Sequence, residues 1–184
     1  MVPPSGELTQ KLGYSLSFAF MGETLFGHSH WSLGYGLGFG AYHYNNNLNI
    51  TTNPNTQLSE FTFLTPDTAY QQNRQIFQYI EVPLELRYRT TSNKKGRYLR
   101  IYPHVKFGFN VRSYTVFVNE KYSTAHFNIQ QTNWYRVSAG VRLGYWIFNL
   151  YANYELTPMY KEVIVGNTDL SQFRTLNVGL SLSF

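Results

Sequence analysis

Charged side chains recur at every second position in the middle of this chain. Glu81, Glu85 and Arg87 alternate with Ile80, Val82, Leu84 and Leu86, and Arg100, His104, Lys106 and Arg112 alternate with Ile101, Val105, Phe107 and Val111. Arg136, Arg142 and Glu155 occupy the same kind of position further along. Carboxylates and cations gathered on one face can neutralise one another, because a buried charge is costly without a partner. They can also leave a net-positive lining that selects anions. The mixed signs favour a salt-bridge network that fills the interior. Cross-strand charge matching predicts a register in which Glu85 opposes Arg100 and Glu81 opposes His104, with the turn centred on Ser92-Asn93; a register opposing Arg87 to Arg100 would be unfavourable.

Other chemistry is poorly supported. His28, His30, His43 and His126 fall in turns or loops, and no Ser-His-carboxylate set can be assembled around them. A His28-Ser29-His30 metal site would need further ligands. The absence of Cys excludes disulfides and thiolate ligands. No catalytic residue, metal or cofactor is therefore expected. The glycines at 34, 36, 38 and 40 alternate strictly and are followed by no helix, so they make room for large inward side chains and do not form a phosphate loop.

The elements that must position these charges are strands. Alternation at period two marks half-buried strands, and it recurs in seven runs, at 12–21, 31–40, 79–88, 99–112, 135–145, 150–156 and 175–184. The connectors 22–30, 90–97 and 146–149 are short. Those at about 44–75, 113–132 and 157–171 are long and polar, with strand extensions expected near 48–52 and 60–64. Pro83 and Pro103 cannot donate to a ladder and predict local bulges.

Composition decides which face is outward. Charged residues make up 14% of the 184, aromatic residues 18%, and mean hydropathy is −0.32. No apolar stretch approaches the roughly 18 residues of a transmembrane helix. Few charges, many aromatics and alternating strands together indicate an all-β, antiparallel, up-and-down transmembrane β-barrel. Its apolar faces meet lipid, and the Gly-, Ser- and charge-bearing faces line a crowded interior. Trp31, Tyr88, Trp146 and Phe148 near the short turns, and Trp134 and Tyr135 with Tyr42 and Tyr44 near the long loops, are the expected aromatic girdles. The net charge of +5 is spread along strands, which favours an Arg-lined interior over nucleic-acid binding.

Short turns belong to the periplasmic side and long loops to the outside. The C-terminus is then periplasmic, and the first visible strand runs towards the periplasm. An even strand count predicts an eight-stranded type with seven crossing strands in residues 1–184 and one upward strand absent, either lost upstream together with a leader, since Met1-Val2-Pro3-Pro4 opens no apolar leader core, or, as the less favoured alternative, supplied by a partner.

Residues 79–88, Tyr-Ile-Glu-Val-Pro-Leu-Glu-Leu-Arg-Tyr, followed by a basic turn and the Gly-containing run 98–110, resemble the PorT-like outer-membrane β-barrel family of Bacteroidetes. The ending Asn177 to Phe184 is similar as well, and Leu180, Leu182 and Phe184 look like the signal read by the barrel-assembly machinery. The resemblance spans roughly residues 12–184 and implies an eight-stranded barrel in the bacterial outer membrane. Its partners would be outer-membrane lipid and lipopolysaccharide, the assembly machinery and, as in the family's namesake, a larger secretion complex. The expected role is non-enzymatic: structural, binding or assembly work through the long loops. A narrow anion-preferring porin is the alternative, and a lipid-modifying enzyme a distant one.

Overall fold

The computed structural model describes residues 8–56, 58–65, 68–93 and 96–183. Its strands are β1 (Gln10–Leu25), β2 (Trp31–Asn46), β3 (Leu48–Thr52), β4 (Ser59–Phe63), β5 (Gln72–Arg89), β6 (Leu99–Val118), β7 (Ser123–Phe127), β8 (Tyr135–Tyr145), β9 (Phe148–Glu155), β10 (Ile164–Val165), β11 (Thr168–Asp169) and β12 (Leu176–Leu182). The single helical element among the described residues is a 3-10 turn at Leu170–Gln172. Seven strands pair in the order β1, β2, β5, β6, β8, β9, β12, each antiparallel to the next, and β7 adds to β6. The sheet curls into a half-barrel. Because the number of crossing strands is odd, the edges β1 and β12 run the same way, and no pairing between them occurs among the described residues.

All seven expected crossing strands are present, and several are longer than the alternation marked. β2, β5 and β6 have 16, 18 and 20 residues, where about 9–11 tilted residues cross a bilayer. The surplus stands beyond the hydrocarbon at the long-loop end. There the expected extensions appear as the β3–β4 hairpin, and β7 continues the sheet.

The polarity of a soluble core is inverted. Leu12, Phe20 and Leu180 are 93%, 80% and 81% exposed, whereas Glu81, Glu85, Arg100 and Arg136 are 3%, 1%, 5% and 6% exposed. A row of solvent-exposed Leu and Phe is a surface meant for lipid. An apolar cluster does exist, but it lies at the long-loop end. Tyr42, Tyr44, Leu48, Ile50, Phe77, Tyr79, Ile129, Tyr160, Val163 and Leu170 pack there, joined by Phe61, Phe63 and Phe173. The loops thus fold over the mouth as a cap. Tyr42 and Tyr44 belong to this cap and not to the girdle, as their even positions on β2, shared with inward Ser32 and Gly34, require.

Three local expectations are corrected. The β5–β6 register opposes Glu85 to His104, Glu81 to Gly108 and Arg89 to Arg100. It places neither Arg100 opposite Glu85 nor His104 opposite Glu81. The like-charged pair is tolerated because Arg89 turns away to Glu23 on β1, at 2.7 Å, and to the Tyr102 hydroxyl, at 2.7 Å. The prolines, secondly, sit in register. Pro83 pairs with Lys106 and Pro103 with Val141. Their missing donors face the other neighbour, where the ladder lapses between Tyr35–Leu84 and Gly38–Glu81 and between Glu85–His104 and Tyr88–Ile101. Thirdly, the β5–β6 shift falls between Gln78 and Tyr79, which leaves Val111 as the extra residue. The inward parity of β6 changes there. Arg112 therefore points outward, over the rings of Tyr114 and Phe127 at 5.2 and 5.0 Å, and is no part of the interior network.

The register has a clean test, since the chain lacks cysteine. A Leu84→Cys/Val105→Cys pair should oxidise to an intramolecular disulfide, because directly opposed Cβ atoms lie about 4.5–5.5 Å apart. Leu84→Cys/Ile101→Cys, which the discarded register would join, should stay reduced on a non-reducing gel.

Candidate functional site

The inward positions of β1, β2, β5, β6, β8, β9 and β12 enclose a lumen beneath the cap. Its charges form two linked groups. In the group nearer the short turns, Glu85 receives Arg87 Nε at 2.8 Å and Arg142 Nη2 at 2.9 Å. Glu23 bridges Arg87 at 3.5 Å and Arg89 at 2.7 Å, and accepts a hydrogen bond from Ser32. In the group nearer the cap, Arg136 lies 2.9 Å from Glu155 and 3.6 Å from Glu81, with Lys106 3.5 Å from Glu81. The Tyr42 hydroxyl donates to Glu81 at 2.7 Å. The Arg136 guanidinium stacks 3.7 Å from the Tyr42 ring and 4.7 Å from that of Tyr79. His104 is bonded to Asn153 and to the Tyr102 carbonyl.

Nine of the ten residues expected in the network face the lumen, and Arg112 is the exception. Glu81, Glu85, Arg87, Lys106, Arg136, Arg142 and Glu155 are ion-paired, and His104 is hydrogen-bonded. Arg100 faces the lumen with no carboxylate in reach among the described residues. Sequence reasoning missed Glu23, Arg89 and Tyr42. The signal for Glu23 was available: it continues the odd-numbered inward series Ser15, Ser17, Ala19 and Met21 of β1, one step past the expected strand end.

Glycines provide the space. A Cβ at Gly34 would overlap the Arg87 guanidinium, one at Gly40 would lie 2.7 Å from the Tyr42 ring and 3.0 Å from the Glu81 carboxyl, and one at Gly144 would lie 2.9 Å from Arg100 Nε. Small residues on one strand thus house long charged ones from the next. Below the cap remains a cleft of about 820 Å³ that reaches Glu23, Glu81, Arg87, Arg100, Lys106 and Arg142, and opens between β1 and β12.

The cap seals the other end with neutral groups. Tyr160 is buried, and its hydroxyl donates to Gln75 Oε1 at 2.7 Å. Burial holds this loop phenol well above the usual tyrosine range. Gln75 is held in turn by Asn46 at 2.9 Å.

The girdle residues stand at strand ends. Trp31 packs on Tyr88 across β2 and β5 at 4.9 Å, and Trp146 packs on Phe148 at 6.1 Å, both at the short-turn end. Trp134 stacks on Phe109 and meets the Tyr135 ring edge-on towards the cap. Trp146 adopts φ 56° in the two-residue turn between β8 and β9, under the Arg97 guanidinium at 4.9 Å. Leu180 and Leu182 are outward and exposed on β12; Phe184 lies outside the described residues.

Removing one partner of a buried ion pair leaves the other uncompensated, at a cost of about 3–5 kcal/mol. Glu85→Gln strands both Arg87 and Arg142 and should lower unfolding stability by that order in urea titrations of the micelle-embedded protein. Arg112→Ala, outside the lumen, should change it by no more than about 0.5 kcal/mol.

A family model for the outer membrane protein beta-barrel domain matches residues 2–183. No curated protein and no solved structure matches the chain. Outward apolar strands, inward charges and a match over nearly the whole length agree, and the chain belongs to the outer membrane protein beta-barrel domain family, an integral β-barrel of the bacterial outer membrane.

Proposed function

We propose that this barrel is a non-enzymatic structural, binding or assembly subunit that acts through its long-loop end. One observation carries the reading: the loops pack into an apolar cap around Tyr160, Phe77, Leu48, Ile50 and Leu170. A barrel built to conduct keeps a polar path open along its axis. Here the path meets buried aromatic rings at one end and a cross-linked charge network beneath them. The cap also turns the loops into a firm platform, and loops of this length are often functional.

The long loops face the exterior and the short turns the periplasm in this reading. Outer-membrane lipid and lipopolysaccharide surround the girdles, and the barrel-assembly machinery reads the C-terminal strand. The PorT-like motif at 79–88 favours a Bacteroidetes-type barrel within a secretion or assembly complex. The parallel directions of β1 and β12 leave room for one strand antiparallel to both, which would complete the eight-stranded type. The second reading, a narrow anion-preferring channel, is favoured by the cleft of about 820 Å³ and its cationic lining.

Planar-bilayer recordings separate the two. The capped barrel should give no resolvable unitary conductance. Stable anion-selective steps from the intact protein would instead establish the channel. Native affinity purification should recover the chain with additional envelope proteins, and recovery of the monomer alone would count against the complex.

A further inference from the structure

Arg100 is the one lumen cation left without a counterion among the described residues. It projects from β6, the middle strand of the seven, into the cleft that opens between β1 and β12. The residue is 5% exposed, and its Nε and Nη2 are buried with no hydrogen-bond partner. The other five lumen cations each contact at least one of the four lumen glutamates. Six cations against four carboxylates leave two positive charges in excess. Five of the six are guanidiniums, which do not deprotonate in proteins, so a positive excess persists whatever the state of Lys106. Its neighbours supply no counterion: the Tyr98 ring lies 5.8 Å from the guanidinium, and Arg89, directly opposite on β5, is committed to Glu23 and Tyr102. A buried, permanently charged fork with unpaired donors beside a cleft has the chemistry that recognises an oxyanion.

We propose that the short-turn end of the lumen binds a phosphate group on Arg100. A phosphate dianion matches the two-charge excess, and its oxygens suit the planar donors of arginine. Gly144 gives the Arg100 guanidinium its room beside the cleft, since a Cβ there would lie 2.9 Å from Nε. The phosphate can reach the cleft as a free solute through the short-turn mouth. It can also arrive as a lipid headgroup at the same mouth, where the apolar Phe20, Trp146 and Leu182 line the cleft beside the charges. The site goes beyond the anchoring role and holds whether the cap is a platform or the barrel a channel.

Calorimetric titration of the full chain in uncharged maltoside micelles at low salt tests this. Inorganic phosphate is the ligand in one arm and a short-chain phosphatidic acid, whose headgroup is a phosphate monoester, in the other. The expected result is saturable one-site binding that weakens at least about ten-fold in Arg100→Gln, weakens less in Arg100→Lys, and is unchanged in Arg112→Gln. Arg100-dependent binding of inorganic phosphate identifies a solute site. Arg100-dependent binding of the lipid alone identifies a headgroup site. Without phosphate, Arg100→Gln should melt at or above the parent, since an uncompensated charge has been removed. The proposal is overturned if neither ligand binds saturably, if Arg100→Gln binds as the parent does, or if Arg100→Gln is destabilised equally with and without phosphate.

Discussion

Glu85 holds two guanidiniums at once, Arg87 from its own strand and Arg142 from β8, each within 2.9 Å. Arg87 passes the connection to Glu23 on β1, and Glu23 passes it to Arg89. Side chains centred on one buried carboxylate thus tie β1, β5 and β8, which share no backbone ladder with one another. The rest of the interior follows from this tie. Glycines at 34 and 144 are there because arginines need their volume, and the second group around Glu81, Arg136 and Glu155 repeats the device one layer nearer the cap.

The network exists because of what lies outside. A hydrocarbon surround requires every backbone donor and acceptor to be satisfied within the sheet and every outward side chain to be apolar. The charges that keep such a sheet from collapsing into an undifferentiated apolar mass can then point only inward. Past the hydrocarbon that requirement lapses. There the same strands bury Tyr42, Tyr44, Phe77 and Tyr79 inside and turn Arg112 outward. The change occurs within two or three residues of the Val111 bulge, so one extra residue separates a lipid-spanning segment from one built by ordinary rules.

This division explains what could be read from the sequence. Period-two alternation is imposed by lipid on one face, so the seven crossing strands and their facing were legible, as were the lumen positions from Glu81 to Glu155. Register was not. It depends on a turn whose length is set by backbone geometry, and matching charges by opposition picked Glu85 with Arg100, whereas the molecule satisfies Glu85 with Arg87 and Arg142. Charge pairs in a narrow lumen need not be directly opposed, because long side chains reach diagonally and across the interior. Arg112 was misplaced because the alternation is unbroken up to Val111, and the switch of the apolar positions to Tyr114, Val116 and Val118 shows only beyond the bulge. The cap was hidden because its contacts join loops far apart in sequence, each of which is polar on average.

Those distances give the cap a kinetic meaning. The Tyr44 hydroxyl meets Thr175 across a separation of 131 residues, and Tyr160 meets Gln75 across 85. Each hairpin can pair with its chain neighbour early, since adjacent strands need only short loop closures. The cap's contacts wait until strands from both ends of the chain stand side by side, because non-local contacts return nothing until their loop entropy has been met. The cap is therefore the last cluster to form, and its closure marks a barrel whose strands are all in place.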